Sequence, residues 1–144
     1  MTRPSINPVG NSARPALPAA TVTEIPDAPA TLGDYGAVVW DQVWKAGGSA
    51  YNSASDSFVI TRYCDLQERR RDLTRLVNAE GFLSTGSQGQ SIMHPAVRAL
   101  DSTEKELRAL EDRLGLNPES RARLGLAAVQ AEDALEAFRR KLGG

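Results

Sequence analysis

Apolar residues recur along this chain in blocks with helical spacing, and the blocks are separated by prolines and glycines. The stretch TLGDYGAVVWDQVWKAGG places Val39 four residues before Val43 and Trp40 four before Trp44, so two adjacent rows form one wide apolar face. It predicts a short, heavily buried first helix with Thr31 as N-cap, stopped at Gly47 and Gly48. A second helix is expected over about 54–79, capped by Ser53 or Ser55 and free of Pro and Gly until Gly81. Within it Val59, Leu66 and Leu73 recur every seven residues, with Tyr63 and Val77 at intervening positions and one polar break at Arg70. Beyond His94 and Pro95 a third helix repeats the interval with Leu100, Leu107 and Leu114. It carries Leu110 among them, has Thr103 where another leucine would fit, and closes at Gly115.

Two stripes of equal interval predict an antiparallel hairpin folded across the loop between 80 and 94. Leu73 then faces Leu100, Leu66 faces Leu107 and Val59 faces Leu114, while Arg70 falls opposite Thr103 and Glu104. The expectation is a buried pairing of Arg70 with Glu104, or a hydrogen bond to Thr103, that fixes the register. The alternative is an Arg70 that snorkels to water at the edge of the stripe, and exposure of Arg70 decides against the buried pair. The loop GFLSTGSQGQSIM fits either a small β-hairpin or a flexible excursion. Asn117 and Pro118 then open a further helix, along which Leu124, Ala128, Ala131, Leu135, Phe138 and Leu142 alternate four and three apart. Gly125 is a point at which that helix kinks or splits. Arg139, Arg140 and Lys141 suit its C-terminus, where the helix dipole favours cations.

The pattern therefore describes an all-α protomer with a long antiparallel helical hairpin and a C-terminal helix. With 144 residues, 41% of them hydrophobic, there is core for one domain and no room for two. Residues 1–30 hold most of the prolines and few charges, and read as a disordered N-terminal arm. Residues 31–116 form the helical core domain, and 117–144 a C-terminal helical segment for oligomerisation or partner contact. No run approaches the roughly 18 apolar residues of a membrane span, and the start lacks the apolar core of a secretory signal, so neither membrane insertion nor export is expected.

Chemistry is sparse. One cysteine, Cys64, and one histidine, His94, make neither a disulfide framework nor a zinc site, and an intracellular protein without metal or cofactor is expected. His94 precedes a proline and reads as a structural or capping residue rather than a general base. The carboxylates of the third helix alternate with Lys105, Arg108 and Arg113, as on a solvated, salt-bridged face. TGSQGQ lacks the Lys-Ser/Thr of a phosphate-binding loop and follows a helix rather than a strand. An enzyme is not expected.

A formal net charge of −1 leaves nucleic-acid binding to local patches. The candidates are Arg69, Arg70, Arg71 and Arg75 on the second helix, Arg121 and Arg123 by a helix N-terminus able to face phosphate, and the terminal Arg139-Arg140-Lys141; the favoured contacts are Arg69, Arg71, Arg75, Arg121 and Arg123. Arg3 and Arg14 in the arm are outsiders. For the first cluster, set among Asp65, Glu68 and Asp72, a solvated helix face is the plainer reading; for the second it is a structural role.

The order of motifs adds to this. Trp44 near the end of the first helix, a helix with Asp56 and Tyr63-Cys64, Gly81-Phe82, His94-Pro95 and then RLGLNPESRARLG from Arg113 to Gly125 together resemble the small-subunit family of phage terminases. The resemblance covers about 35–125; Asn117 stands where the family usually has Thr and keeps the capping ability. It implies a helical protomer that closes into a homo-oligomeric ring in the host cell cytoplasm during phage assembly. Such a ring recognises the packaging-start region of concatemeric viral double-stranded DNA, and recruits and regulates a large subunit holding the ATPase and nuclease. Leu135, Phe138 and Leu142 of the last stripe are oligomer-interface candidates, although the same stripe would also serve to complete the protomer's own core. The arm and the C-terminal segment are the accessible tails for docking the large subunit. Two rival readings are a helix-turn-helix regulator on an operator and a helical adaptor that ignores nucleic acid.

Overall fold

A computed structural model of the chain describes residues 24–143. Most of the proline-rich arm, with Arg3 and Arg14, lies outside them. Five α-helices and one two-stranded sheet follow: α1 Asp34–Gly47, α2 Ser53–Glu80, β1 Leu83–Thr85, β2 Ser91–Met93, α3 Pro95–Leu114, α4 Pro118–Leu124 and α5 Leu126–Leu142. A single 3-10 turn, Gly48–Ala50, joins α1 to α2. The mostly helical architecture expected from the stripes is present.

The helix ends show where local rules held and where a distant residue replaced them. α1 starts at Asp34 rather than after Thr31, with Gly33 as an N-cap that has no side chain to offer. Its free amides are taken by Glu68 of α2, whose carboxylate accepts from Gly33 N–H at 3.1 Å and Gly36 N–H at 2.9 Å. A Cβ on Gly36 would stand 2.9 Å from the Glu68 carboxyl carbon, so a side chain there would push the carboxylate away from these amides. α2 is capped by Asn52 rather than by Ser53 or Ser55: its side chain accepts from Ala54 N–H at 2.8 Å, and Asp56 reaches back to Asn52 N–H at 2.7 Å. At 28 residues α2 is about 42 Å long.

Between the long helices the polar loop closes as a β-hairpin, with Leu83 opposite Met93 and Thr85 opposite Ser91. Its turn holds Gly89 at φ 78°, a left-handed conformation that suits glycine. His94 then caps α3, its Nδ1 accepting from Ala96 N–H at 3.0 Å while Nε2 meets a Glu80 carboxylate oxygen at 2.5 Å. These contacts tie the end of α2 to the start of α3. Gly115, at φ 71°, ends α3 in the left-handed region, and Gly125, also at φ 71°, splits the last helical run into α4 and α5.

Cross-helix contacts run from the closed end, Glu80 with His94, through Arg70 with Glu104 to Tyr63 with Glu111, so α2 and α3 are antiparallel. Leu66, Leu107 and Leu114 are buried in this seam, while Val59, Leu73 and Leu100 are only half-buried. The deepest side chains of α2 are Ile60 and Cys64, both 0% exposed and one turn apart on the side that meets α1. The core therefore sits at the base of the hairpin. There Trp40 and Trp44 pack 5.5 Å apart and Tyr51 meets Trp44 edge-on at 5.8 Å, its hydroxyl donating to Leu114 O at 2.5 Å.

Residues 24–30, expected within the disordered arm, are held instead against this core. Ile25 and Ala28 pack on it, and Trp40 Nε1–H donates to Pro26 O at 2.7 Å. Proline prevents regular structure there but not apolar docking. No helix among the described residues is long and apolar enough to cross a membrane.

Candidate functional site

The groups with reactive chemistry are engaged in structure. Cys64 is fully buried, and burial, followed by the charges of Asp65 and Glu68, pushes its thiol up to about 12, which keeps it protonated and unreactive at neutral pH. His94 spends both ring nitrogens on the cap and on Glu80. The loop TGSQGQ uses its amides internally: Gly86 N–H donates to Gln90 O at 2.7 Å and Gly89 N–H to Gly86 O at 3.0 Å. No group of three or more potential metal ligands is gathered among the described residues.

The candidate arginines fall on separate faces. At about 100° per residue, Arg71 and Arg75 share a face of α2, whereas Arg69 lies roughly 160° round from Arg71. Arg71 stacks its guanidinium 4.7 Å above the Tyr35 ring of α1 and is half-buried, while Arg69 and Arg75 are exposed. Arg121 is half-buried on α4, and Arg123 Nη2–H donates to Asp112 O at 3.0 Å, where it satisfies a carbonyl in the last turn of α3. The N-terminus of α4 is closed by its own capping box, with Ser120 N–H donating to Asn117 Oδ1 at 2.8 Å. It is therefore not the open phosphate site that the sequence suggested. The five arginines do not converge into one patch within a protomer.

Arg70 does meet Glu104 across the hairpin, at the place the antiparallel register puts them, but the pair is not buried. The Arg70 side chain is 45% exposed, so the expectation of a buried register lock is corrected to a surface ion pair of little energetic weight. Thr103 occupies the buried position instead, its hydroxyl donating to Ala99 O at 2.8 Å within α3. A short hydroxyl fits inside the seam at that level, while the long guanidinium reaches its edge.

α5 separates two faces. Its inner face is fixed by polar anchors: Gln130 Nε2–H donates to Ala46 O at 2.5 Å, and Asp133 accepts from Ser49 N–H at 3.1 Å and Ser49 Oγ–H at 2.9 Å. Leu126 is buried at its start. The stripe read from the sequence points the other way, with Leu135 48%, Phe138 57% and Leu142 71% exposed. The protomer's own core does not use it.

Sequence reading missed a cleft at the base of the hairpin. It holds about 470 Å³ over a floor that includes Val59, Leu110, Leu124 and Leu126, with Arg62 and Arg113 on its sides. These residues come from four helices, and no local pattern announces that they meet.

The family model described as phage terminase, small subunit, matches residues 36–131, from the first turn of α1 into α5. No curated protein and no solved structure matches the chain. The matched stretch contains the whole hairpin, both tryptophans, His94-Pro95 and the α4 capping box, and small terminase subunits are generally non-catalytic. On that match, this chain belongs to the phage terminase small-subunit family, whose role is in genome packaging.

Proposed function

We propose that the chain acts as a closed ring of identical copies that recognises the packaging-start region of concatemeric viral DNA. The ring then recruits and regulates the large-subunit ATPase and nuclease in the host cytoplasm. The observation that carries the assembly is the outer face of α5: Leu135, Phe138 and Leu142 form an exposed apolar line on a helix whose inner face is already docked. Monomeric proteins seldom leave such a line open. The contacts to DNA are assigned to Arg69, Arg71, Arg75, Arg121 and Arg123. At a net charge of −1 one protomer binds DNA weakly, and a ring raises that affinity by repeating each small patch around its circumference.

Native mass spectrometry across a range of concentrations is the first test. A single closed species of many copies, stable to dilution, is expected, and a monomer at every concentration overturns the ring. DNA binding by that species should weaken steeply with salt, because phosphate contacts release counterions. Replacing Arg69, Arg71 and Arg75 together with Gln is expected to lower affinity at least ten-fold and flatten the salt slope. Unchanged affinity and slope remove α2 from the DNA surface. Stimulation of large-subunit ATPase by the wild-type ring completes the test.

A further inference from the structure

The cleft at the base of the hairpin runs into a second, shallower depression that shares Arg62, Leu110 and Arg113 with it and ends at Glu106. Together they make a groove along α3 with an apolar floor and charges of both signs on its rim. Glu106 and Arg113 are seven residues apart on α3, so they lie on one face about 10.5 Å apart. The exposed face of α5 carries the same arrangement. Glu132 and Arg139 are also seven residues apart and flank Leu135 on one side of the stripe. All four charged residues are exposed, and none belongs to an ion pair among the described residues.

We propose that α5 of a second copy of this chain lies in this groove, antiparallel to α3, with Glu132 against Arg113, Arg139 against Glu106, and Leu135 and Phe138 on the apolar floor. Antiparallel alignment is the one that sets opposite charges against each other at both ends, since α3 and α5 each read acid then base from N to C. Arg62, on the opposite wall from α2, adds a second cation beside Glu132. The only other acid in the cleft, Asp56, is held by the Asn52 and Ser55 contacts of the α2 cap and leaves the arginines free. A protomer does not fill its own groove in this way, because Gln130 and Asp133 bind the inner face of α5 to Ala46 and Ser49 and turn the stripe outward. Leu124 lines the groove at the end of α4, just before Gly125 turns the chain into α5. Repeating the contact in one direction around an axis closes a ring, whereas reciprocal seating gives a two-fold dimer.

The inference rests on the assembly reading and names the surface that receives the stripe. Its test is charge reversal in the full chain, read by native mass spectrometry and sedimentation. Arg113→Glu and Glu132→Arg are each expected to weaken assembly at least ten-fold, and the two together to restore it to within about three-fold of wild type. Circular dichroism spectra of both single variants should match that of wild type, because both side chains are exposed. Phe138→Ser provides a second loss of assembly that changes no charge if a reversal perturbs folding. A wild-type chain that is monomeric throughout overturns the ring and this contact together. A wild-type assembly indifferent to both reversals, or not rescued by their combination, overturns this contact and leaves the ring standing. Reversals at Arg62 and Arg113 that spare assembly but abolish large-subunit binding give the groove to an acidic segment of that partner, and also overturn it.

Discussion

The seam between α2 and α3 and the outer face of α5 are written in the same code, apolar residues three and four apart, yet one is dry at its base and the other faces water. Leu66 and Leu107 are 6% and 2% exposed, whereas Leu135 and Phe138 are 48% and 57% exposed. Periodicity specifies a helix with a face to cover; it does not specify who covers it. The seam is closed because a tight β-hairpin returns α3 along α2 and because α1 packs across the base. α5 leaves the left-handed turn at Gly125 with its orientation set by Gln130 and Asp133, and those polar anchors commit the other face to the protomer.

The largest expected contrast comes from truncating one residue in each region. Ile60→Ala, at a fully buried site, should cost about 2–5 kcal/mol in urea unfolding, since the tight base of the hairpin cannot collapse into the space. Phe138→Ala should change protomer stability by less than about 0.5 kcal/mol and act on assembly instead. Equal losses of protomer stability would erase the distinction between the two stripes.

High pH attacks the dry region through its buried hydroxyls and thiol. Burial pushes the Tyr51 hydroxyl up to about 12, aided by the charge of Asp56. It pushes Tyr63 equally far, against a hydrogen bond from Gln67 that works the other way, and Cys64 also reaches about 12. Raised values mean that the unfolded chain releases these protons first. Their contribution is whole below about pH 9 and is lost as pH rises through about 12. Denaturant midpoints should hold through neutral pH and fall in that alkaline window, and Cys64→Ala should trim the lower part of the fall.

A smaller effect is expected at the α1 terminus, where Glu68 does the work of an N-cap from another helix. Glu68→Ala should cost about 1 kcal/mol by thermal melting and speed amide exchange at Gly36, while Glu68→Gln keeps an acceptor and should lose less. Smallest of all is Arg70→Leu, at about 0–1 kcal/mol. A double-mutant cycle with Glu104 should give a coupling inside that range, as a surface pair predicts; a coupling above 3 kcal/mol would restore the buried register lock.

Much of the fold was legible because its signals are local. Gly81 and Gly115 stop helices, Pro95 and Pro118 start them, and the leucine intervals placed Leu66 and Leu107 in the buried seam. Legibility failed where a remote group substituted for a local one. Glu68 supplied the cap expected of Thr31, and α1 drew Ile60 and Cys64 deeper than the stripe through Val59 and Leu73. Of the candidate site, the sequence identified the arginines and the stripe on the last helix. It did not show that Arg123 donates to Asp112 O, that Arg71 lies on Tyr35, or that Arg62 and Arg113 share a cleft.

Spacing along the chain was enough to specify the helices, their order and, through matching seven-residue intervals on either side of one loop, the antiparallel pairing of the two longest. Which apolar face is covered, which is left open and which charges are free to meet a partner came instead from the packing of helices. Those outcomes depend on residues tens of positions apart, such as Gly33 and Glu68 or Ser49 and Asp133, whose proximity is fixed by how whole helices pack.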